Sequence, residues 1–397
     1  MLLIRKRPTA TRTTFSHSRF ATSSDTLPAE KKQMPETRPA HPYFLYDAIV
    51  AQPHLIEQVF SKSRSAIERA VQAAANRKRV VFIGIGTSLN AANVAERWMR
   101  HHSGGRALAR AEQSFEFAHY PLALGAEDVA VIITHTGTTS QSVEALRAAR
   151  AMGALTIAVT GYLPGEGMLE ADVRIETCEQ EVAFAYTKSY TTALAAIAQF
   201  ILGYLEKRGL LKDGASARGA LDQVPALMRA GLKTESQVRE AASLIAERNR
   251  IVFFGAGTCW ATASEAALKI KETSYIAAEG FETEEILHGP FSEIDYRGAI
   301  IGMLTGEPAD ERARTILRAA KELGMLRMAV TTPSANRDIA AEYTIVLPEA
   351  ATWLAAFTHV VPLQLLTYHI ALARKINPDT GRQDQENHAQ AHKVYKL

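Results

Sequence analysis

A ten-residue phrase occurs twice in this chain. Arg79-Val-Val-Phe-Ile-Gly-Ile-Gly-Thr-Ser88 returns as Arg250-Ile-Val-Phe-Phe-Gly-Ala-Gly-Thr-Cys259. Each copy is a β-branched and aromatic run, then Gly-x-Gly-Thr, then an Ala-rich helical stretch. The pattern predicts strand, tight turn and helix. Its recurrence after a domain-sized interval predicts two α/β units of one plan. The length of 397 residues suits two such units.

Each unit continues alike. Asp128–Thr134, Leu155–Thr160 and Val173–Glu176 are strand candidates in the first, and Ala299–Leu304, Met328–Thr331 and Thr344–Leu347 in the second. Near-continuous apolar strands alternating with amphipathic helices predict parallel sheets covered on both faces, wound right-handed. The fold expected is α/β, two tandem doubly wound sandwiches. The boundaries read as a disordered tail over 1–40, a leading helical segment over 41–78 and a first domain over 79–212. A helical connector over 213–248, a second domain over 249–378 and a polar tail over 379–397 follow. That last stretch carries no strand or helix signal of its own.

Composition narrows the class. Two cysteines, Cys178 and Cys259, are too few for a disulfide framework and suit a reducing compartment. No apolar run reaches about 18 residues without a polar break, so no membrane span is expected. Met1–Ser24 has five arginines or lysines and no acid, the composition of an organellar transit peptide or of an over-extended start before Met34. The location expected is the cytoplasm, with an organellar address open. The net charge of +3 is concentrated there: Met1–Arg38 holds eight Lys/Arg against three acids, leaving about −2 elsewhere and no nucleic-acid signature. His388 and His392 have helical spacing but no evident third ligand, so no metal and no cofactor is expected, and they read as part of a solvated tail.

Ligands of open parallel sheets sit beyond the carboxyl ends of the strands. Two loops of the first unit fall there, Gly84–Ser88 with Gly86 and Thr87, and Thr134-His135-Thr136-Gly137-Thr138-Thr139. Amides at a helix start, together with hydroxyls, suit a phosphate monoester. The same hydroxyls serve as plain helix caps elsewhere. Neither loop has the third glycine of a dinucleotide fingerprint or the Gly-Lys-Ser/Thr of a P-loop. In the second unit, Ala266, Lys269 and Thr273 share a helix face and Glu265 and Glu272, seven apart, fall near one another; a Lys and a Glu on one turn read equally as a surface ion pair or as a tuned carboxylate.

Four segments carry a family resemblance: Val182–Thr192, Ala267–Ile276, Ile286-Leu-His-Gly-Pro290 and Val361–Leu366. Over about Tyr46–Leu397 the chain resembles the sugar isomerase (SIS) family. It is most similar to the double-SIS isomerase portion of glutamine–fructose-6-phosphate aminotransferases and to related glucosamine-6-phosphate deaminases. The resemblance implies that Ser88, Thr134, His135, Thr136 and Thr139 hold the sugar phosphate, with the backbone of Val182 and Ala183 lining the sugar. It implies that Glu272 moves a proton between C1 and C2 beside Lys269. His288, supplied by a neighbouring subunit of a homodimer or larger assembly, would assist ring opening. Lys393, or Lys396 in its place, would meet the sugar carbonyl. The family's usual Ser-Gln-Ser-Gly-Glu-Thr loop differs here at His135 and Thr138. No stretch before Tyr46 is long enough for a glutaminase domain, so the expected activity is interconversion of fructose 6-phosphate and glucosamine 6-phosphate with free ammonia. A fructosamine-6-phosphate deglycase or a non-catalytic sugar-phosphate sensor is the alternative.

Overall fold

The structure, a computed structural model, describes residues 37–395. The readings made for residues 1–36 and for Lys396 lie outside the described residues.

Two helices lead, α1 (Phe44–Lys62) and α2 (Arg64–Ala74). The first half then runs β1 (Arg79–Gly84), α3 (Thr87–Ser103), β2 (Leu108–Gln113), α4 (Ser114–His119), β3 (Asp128–Ile133), α5 (Ser140–Ala151), β4 (Leu155–Thr160), β5 (Val173–Glu176) and α6 (Lys188–Lys207). Helices α7 (Gly214–Asp222), α8 (Val224–Leu232) and α9 (Glu235–Ile245) connect to the second half. There follow β6 (Arg250–Gly255), α10 (Thr258–Ser274), β7 (Ala277–Glu282), β8 (Gly298–Met303), α11 (Asp310–Glu322), β9 (Leu326–Thr331) and β10 (Tyr343–Val346). The chain closes with α12 (Ala355–Thr358), α13 (Val360–Ala373) and α14 (Glu386–Tyr395).

Both sheets are wholly parallel and share one order. The first is β2-β1-β3-β4-β5, and the second, β7-β6-β8-β9-β10, repeats it strand for strand. In each, the winding reverses between the first strand of the half and the third, at β1/β3 and β6/β8, which opens a crevice above the strand ends.

Strand alternation divides the core. Val80 and Phe82 of β1, with Ile251 and Phe253 of β6, belong to one cluster shared by both halves. Their neighbours Val81 and Ile83 face a separate cluster under α5, while Val252 and Phe254 face another under α11. Helices α3 and α10, which follow the repeated phrases, pack against one another in the shared core. Thr352–Ala373 is long and apolar enough to cross a membrane, but its most apolar window is wholly buried, and it serves as a core segment of this domain.

Sequence reading misplaced two features. The edge strands β2 and β7 were not foreseen, because Leu-Ala-Arg-Ala-Glu-Gln and Ala-Ala-Glu-Gly-Phe-Glu mix exposed charges into half-covered strands. The tail after Gly381 is not structureless: Glu386–Tyr395 forms α14. Its residues, largely good helix formers, lack an apolar period, so propensity alone carried the signal.

Three histidines are held neutral by burial. Burial pushes His102, His135 and His359 each down to about 4, and His359 Nε2 lies 3.1 Å from the Leu304 carbonyl. The unfolded chain therefore takes up protons at a higher pH than the folded one. Their contribution to stability is complete above about pH 6.5 and is lost as the pH falls toward 4, at up to about 1.4 kcal/mol per pH unit for each histidine. Urea unfolding from pH 7 to 4.5 should show this decline, and His359→Gln should flatten it. A pH-independent midpoint would contradict the assignment.

Candidate functional site

The crevice of the first half is built from two loops. At the β1–α3 turn, a Cβ on Gly84 would lie 2.4 Å from the Ser88 backbone, and Gly86 sits at φ 57°. Only glycine meets both demands without strain. Thr87 and Ser88 thereby open α3 at the crevice. After β3, Thr134 N–H donates to the Val159 carbonyl at 3.0 Å, and the carbonyls of His135 and Thr136 accept from Gly161 and Gly165 at 2.9 Å each. Gly137, at φ 67°, packs on Pro164 and Met168. The loop is thus fixed from below, and Thr136, Thr138 and Thr139 stand beside the start of α5. Such a start, with amides and hydroxyls together, suits an oxyanion.

His135 ties this loop to the next segment. Its Nε2 accepts from the Glu181 N–H at 2.9 Å, so the proton of the neutral ring sits on Nδ1. The Glu181 carboxylate in turn caps α6, accepting from Thr187 N, Lys188 N and Ser189 N at 2.6 to 3.2 Å. Below the loops lies a cavity of about 20 Å³, space for one water, lined in part by Thr87, Ser88, Thr134, His135 and Tyr186. The hydroxyls of Thr160, Ser189 and Tyr190 also face it, buried and without a partner among the described residues.

The second half contributes the carboxylate. On α10, Glu265, Lys269 and Glu272 point toward the first half. Lys269 is 1% exposed, Glu265 is fully buried and Glu272 is 25% exposed. Lys269 Nζ donates to Glu272 Oε2 at 2.6 Å and to Thr87 Oγ1 at 2.9 Å, and lies 3.5 Å from Glu265 Oε1. Thr87 passes the bond on to Glu265, which also accepts from Asn90 at 2.8 Å. Burial alone would lower the Lys269 pKa, but the two carboxylates overcome it and hold the group above its usual range, as an ammonium. Burial raises Glu265, and the ammonium beside it opposes that rise. Glu272 alone of the three reaches open space, at a cavity of about 420 Å³. Lys269 thereby fixes a carboxylate from one half beside the anion cradle of the other.

The expected residues are not all brought together. Thr87, Ser88, Thr134 and His135 line the small cavity and Glu272 the larger one, Lys269 bonds both Thr87 and Glu272, and Gly86, Thr136 and Thr139 line neither cavity. Val182 is 49% exposed and Ala183 is buried, and neither lines these two cavities, whereas Phe184 and Tyr186 further along do. His288 is 66% exposed, beside Glu284, and does not reach the Glu272 cavity within its own chain. Lys393 is exposed on α14, as are His388 and Tyr395, and with half-buried His392 these last two border the cavity. Glu181, Tyr186, Asn90 and Arg382 were missed, since no spacing links them to the loops.

The second half holds a twin of this site with different contents. Gly257 repeats the Gly86 backbone, at φ 58° and ψ −126° against 57° and −126°. Around it is a cavity of about 380 Å³. Cys259 stands in the place of Ser88, and on α3 Trp98 and His101 stand where α10 has Lys269 and Glu272. The amides of Thr305 and Gly306, which match those of His135 and Thr136, donate to Asp310 Oδ2 at 3.1 and 2.7 Å. In the second half a carboxylate of the chain itself thus takes up these two amides.

Two outcomes follow from this geometry. Titration calorimetry with glucitol 6-phosphate should give one site per chain, and Asp310→Ser should add a second, weaker one; two sites in the unaltered chain would contradict the asymmetry. Lys269→Met leaves two carboxylates uncompensated and should cost about 3–5 kcal/mol in urea unfolding. A loss under about 1 kcal/mol would mean the ammonium is not the clamp.

Comparison with known proteins agrees with this arrangement. The glutamine–fructose-6-phosphate aminotransferase (isomerizing) of Thermococcus kodakarensis is 26% identical over 345 residues, 86% of this chain and 57% of the relative. That of Bradyrhizobium diazoefficiens is 29% identical over 312 residues, 77% of this chain and 51% of the relative. The chain thus spans just over half the length of these relatives. Among solved structures, the C-terminal domain of glucosamine-fructose-6-phosphate aminotransferase from Francisella tularensis superposes with a TM-score of 0.77 at 22% identity, covering 86% of this chain and 99% of that one. Glucosamine-6-phosphate deaminase from Thermotoga maritima gives 0.67 at 20% identity, covering 85% and 97%. At such identities the structural likeness is one of fold. The SIS domain matches residues 74–203 and again 244–374, which are the two halves described above. The chain belongs to the SIS domain family, in two copies.

Proposed function

We propose that this protein is an aldose–ketose isomerase of amino-sugar phosphates, interconverting fructose 6-phosphate and glucosamine 6-phosphate with free ammonia as the nitrogen partner. One observation carries the reading: Lys269 holds Glu272 of the second half at hydrogen-bond distance while bonding Thr87 of the first-half cradle. A phosphate at the loops and a carboxylate beyond them suit a substrate anchored at one end and deprotonated at the other. The anchor supplies positioning far from the reacting carbons. A single carboxylate can remove the proton from one carbon and return it to the next. The names of the relatives, which act on these sugars or their isomers, support the same class.

The cavity beyond Glu272 supports a second reading. Its 420 Å³ and the presence of Lys271 and Arg382 leave room for a larger, anionic substituent on the sugar nitrogen, as in a fructosamine 6-phosphate. We assign His288 to a neighbouring subunit's site, which makes the active form a homodimer or larger.

Purified protein should release fructose 6-phosphate and ammonia from glucosamine 6-phosphate, or form the amino sugar when ammonia is supplied, but not with glutamine instead. Glu272→Gln should lower turnover by about 10²–10⁴-fold with sugar-phosphate binding within a few-fold. No turnover with these sugars or with a fructosamine 6-phosphate panel would refute the isomerase reading. A fully active monomer in light scattering would refute the shared site.

A further inference from the structure

The end of the chain is anchored. Asp379 accepts from Phe44 N and Leu45 N at 2.7 and 3.0 Å, capping α1, and Asn377 donates to the Arg38 carbonyl at 3.0 Å. Thr380 Oγ1 lies 3.3 Å from the Tyr275 hydroxyl and 3.2 Å from Asp384. Arg382 stacks over the Tyr275 ring at 4.9 Å. Gly381, at φ 55°, lies so close to Phe184 that a Cβ would meet its ring at 2.4 Å. Helix α14 starts from this fixed turn. His388, His392 and Tyr395, at i, i+4 and i+7, fall within one narrow arc at about 100° per residue. That arc faces the cavity holding Glu272. Lys393 follows His392 by about 100° and leaves the arc.

We propose that His392, which lines the same cavity as Glu272, is the proton-transfer partner of Glu272. The inference rests on the isomerase reading. The His392 ring is held edge-on to Phe184 at 6.1 Å and against Tyr395 at 4.7 Å, with the Gln383 amide donating to Nε2 at 3.4 Å. A ring so placed is oriented but not locked in an ion pair. Imidazole is the side chain that both gives and takes a proton near neutral pH.

The step balances without any other reagent. Glu272 removes the proton from the carbon beside the carbonyl as imidazolium at His392 protonates the carbonyl oxygen, giving an enediol or enolamine. The neutral ring then takes the proton from the neighbouring hydroxyl or amine while the Glu272 carboxyl returns its proton to the other carbon. Both groups end as they began; where the neighbouring group is an amine the product is the ketimine, which water hydrolyses to the ketose and ammonia.

The test uses the full-length protein in two arms. In the first, His392→Gln is compared with Gln390→Ala, on the opposite side of α14, for turnover and for deuterium uptake from D2O into the sugar. His392→Gln is expected to lower kcat by about 10²-fold with KM within about threefold, and Gln390→Ala to leave both unchanged. In the second, ring-labelled histidine NMR follows the addition of glucitol 6-phosphate, which cannot turn over; the His392 resonance should move and that of exposed His101 should not. An unchanged kcat in His392→Gln, or a His392 resonance that does not respond, overturns the inference. A protein that turns over no sugar phosphate yet shows the His392 shift refutes the isomerase reading alone and upholds His392 as a wall of the ligand site.

Discussion

One ammonium group ties the two halves together. Lys269, fully buried on α10, bonds Glu272 beside it and Thr87 across the interface, with Glu265 close by. Burying a charge there is tolerated because two carboxylates face it, and the carboxylates are tolerated because it faces them. The arrangement requires α3 and α10 to pack together, which the shared core provides. The arrangement depends on this contact, because the hydroxyl loops belong to one repeat and the Glu272 carboxylate to the other.

The repeat explains both the symmetry and its breaking. Two copies of one topology give two crevices with the same turn, down to the dihedral angles of Gly86 and Gly257. Identical sites would need identical side chains on both α3 and α10. Instead, one helix carries the charged triad and the other carries Trp98, buried against Phe357 with ring centroids 5.5 Å apart. One cradle is open, and the other is filled by Asp310. The two halves thus differ at matching positions while sharing one fold.

Much of this was legible in the sequence, for physical reasons that can be named. The Gly-x-Gly-Thr turns are dictated by close approach and positive φ, which leave a mark in residue type. The inner strands are covered on both faces and read as apolar runs. Spacing brought Glu265 near Glu272 and a lysine near a glutamate, but not the three together against Thr87. Other features leave no such mark. The edge strands β2 and β7 carry charges. Glu181 acts through a cap whose recipients are backbone amides, and Asp310 does the same. Helix α14 lacks an apolar stripe, because one of its faces lines an open cavity. Its histidines therefore carried no signal of the cavity they border.

A co-crystal structure with glucitol 6-phosphate tests the account most directly. The phosphate should sit on the amides and hydroxyls of the Thr134–Thr139 loop, with C1 and C2 of the chain beside Glu272. A phosphate bound in the Thr258–Thr305 crevice of the second half, or a sugar chain directed away from Glu272, would contradict it.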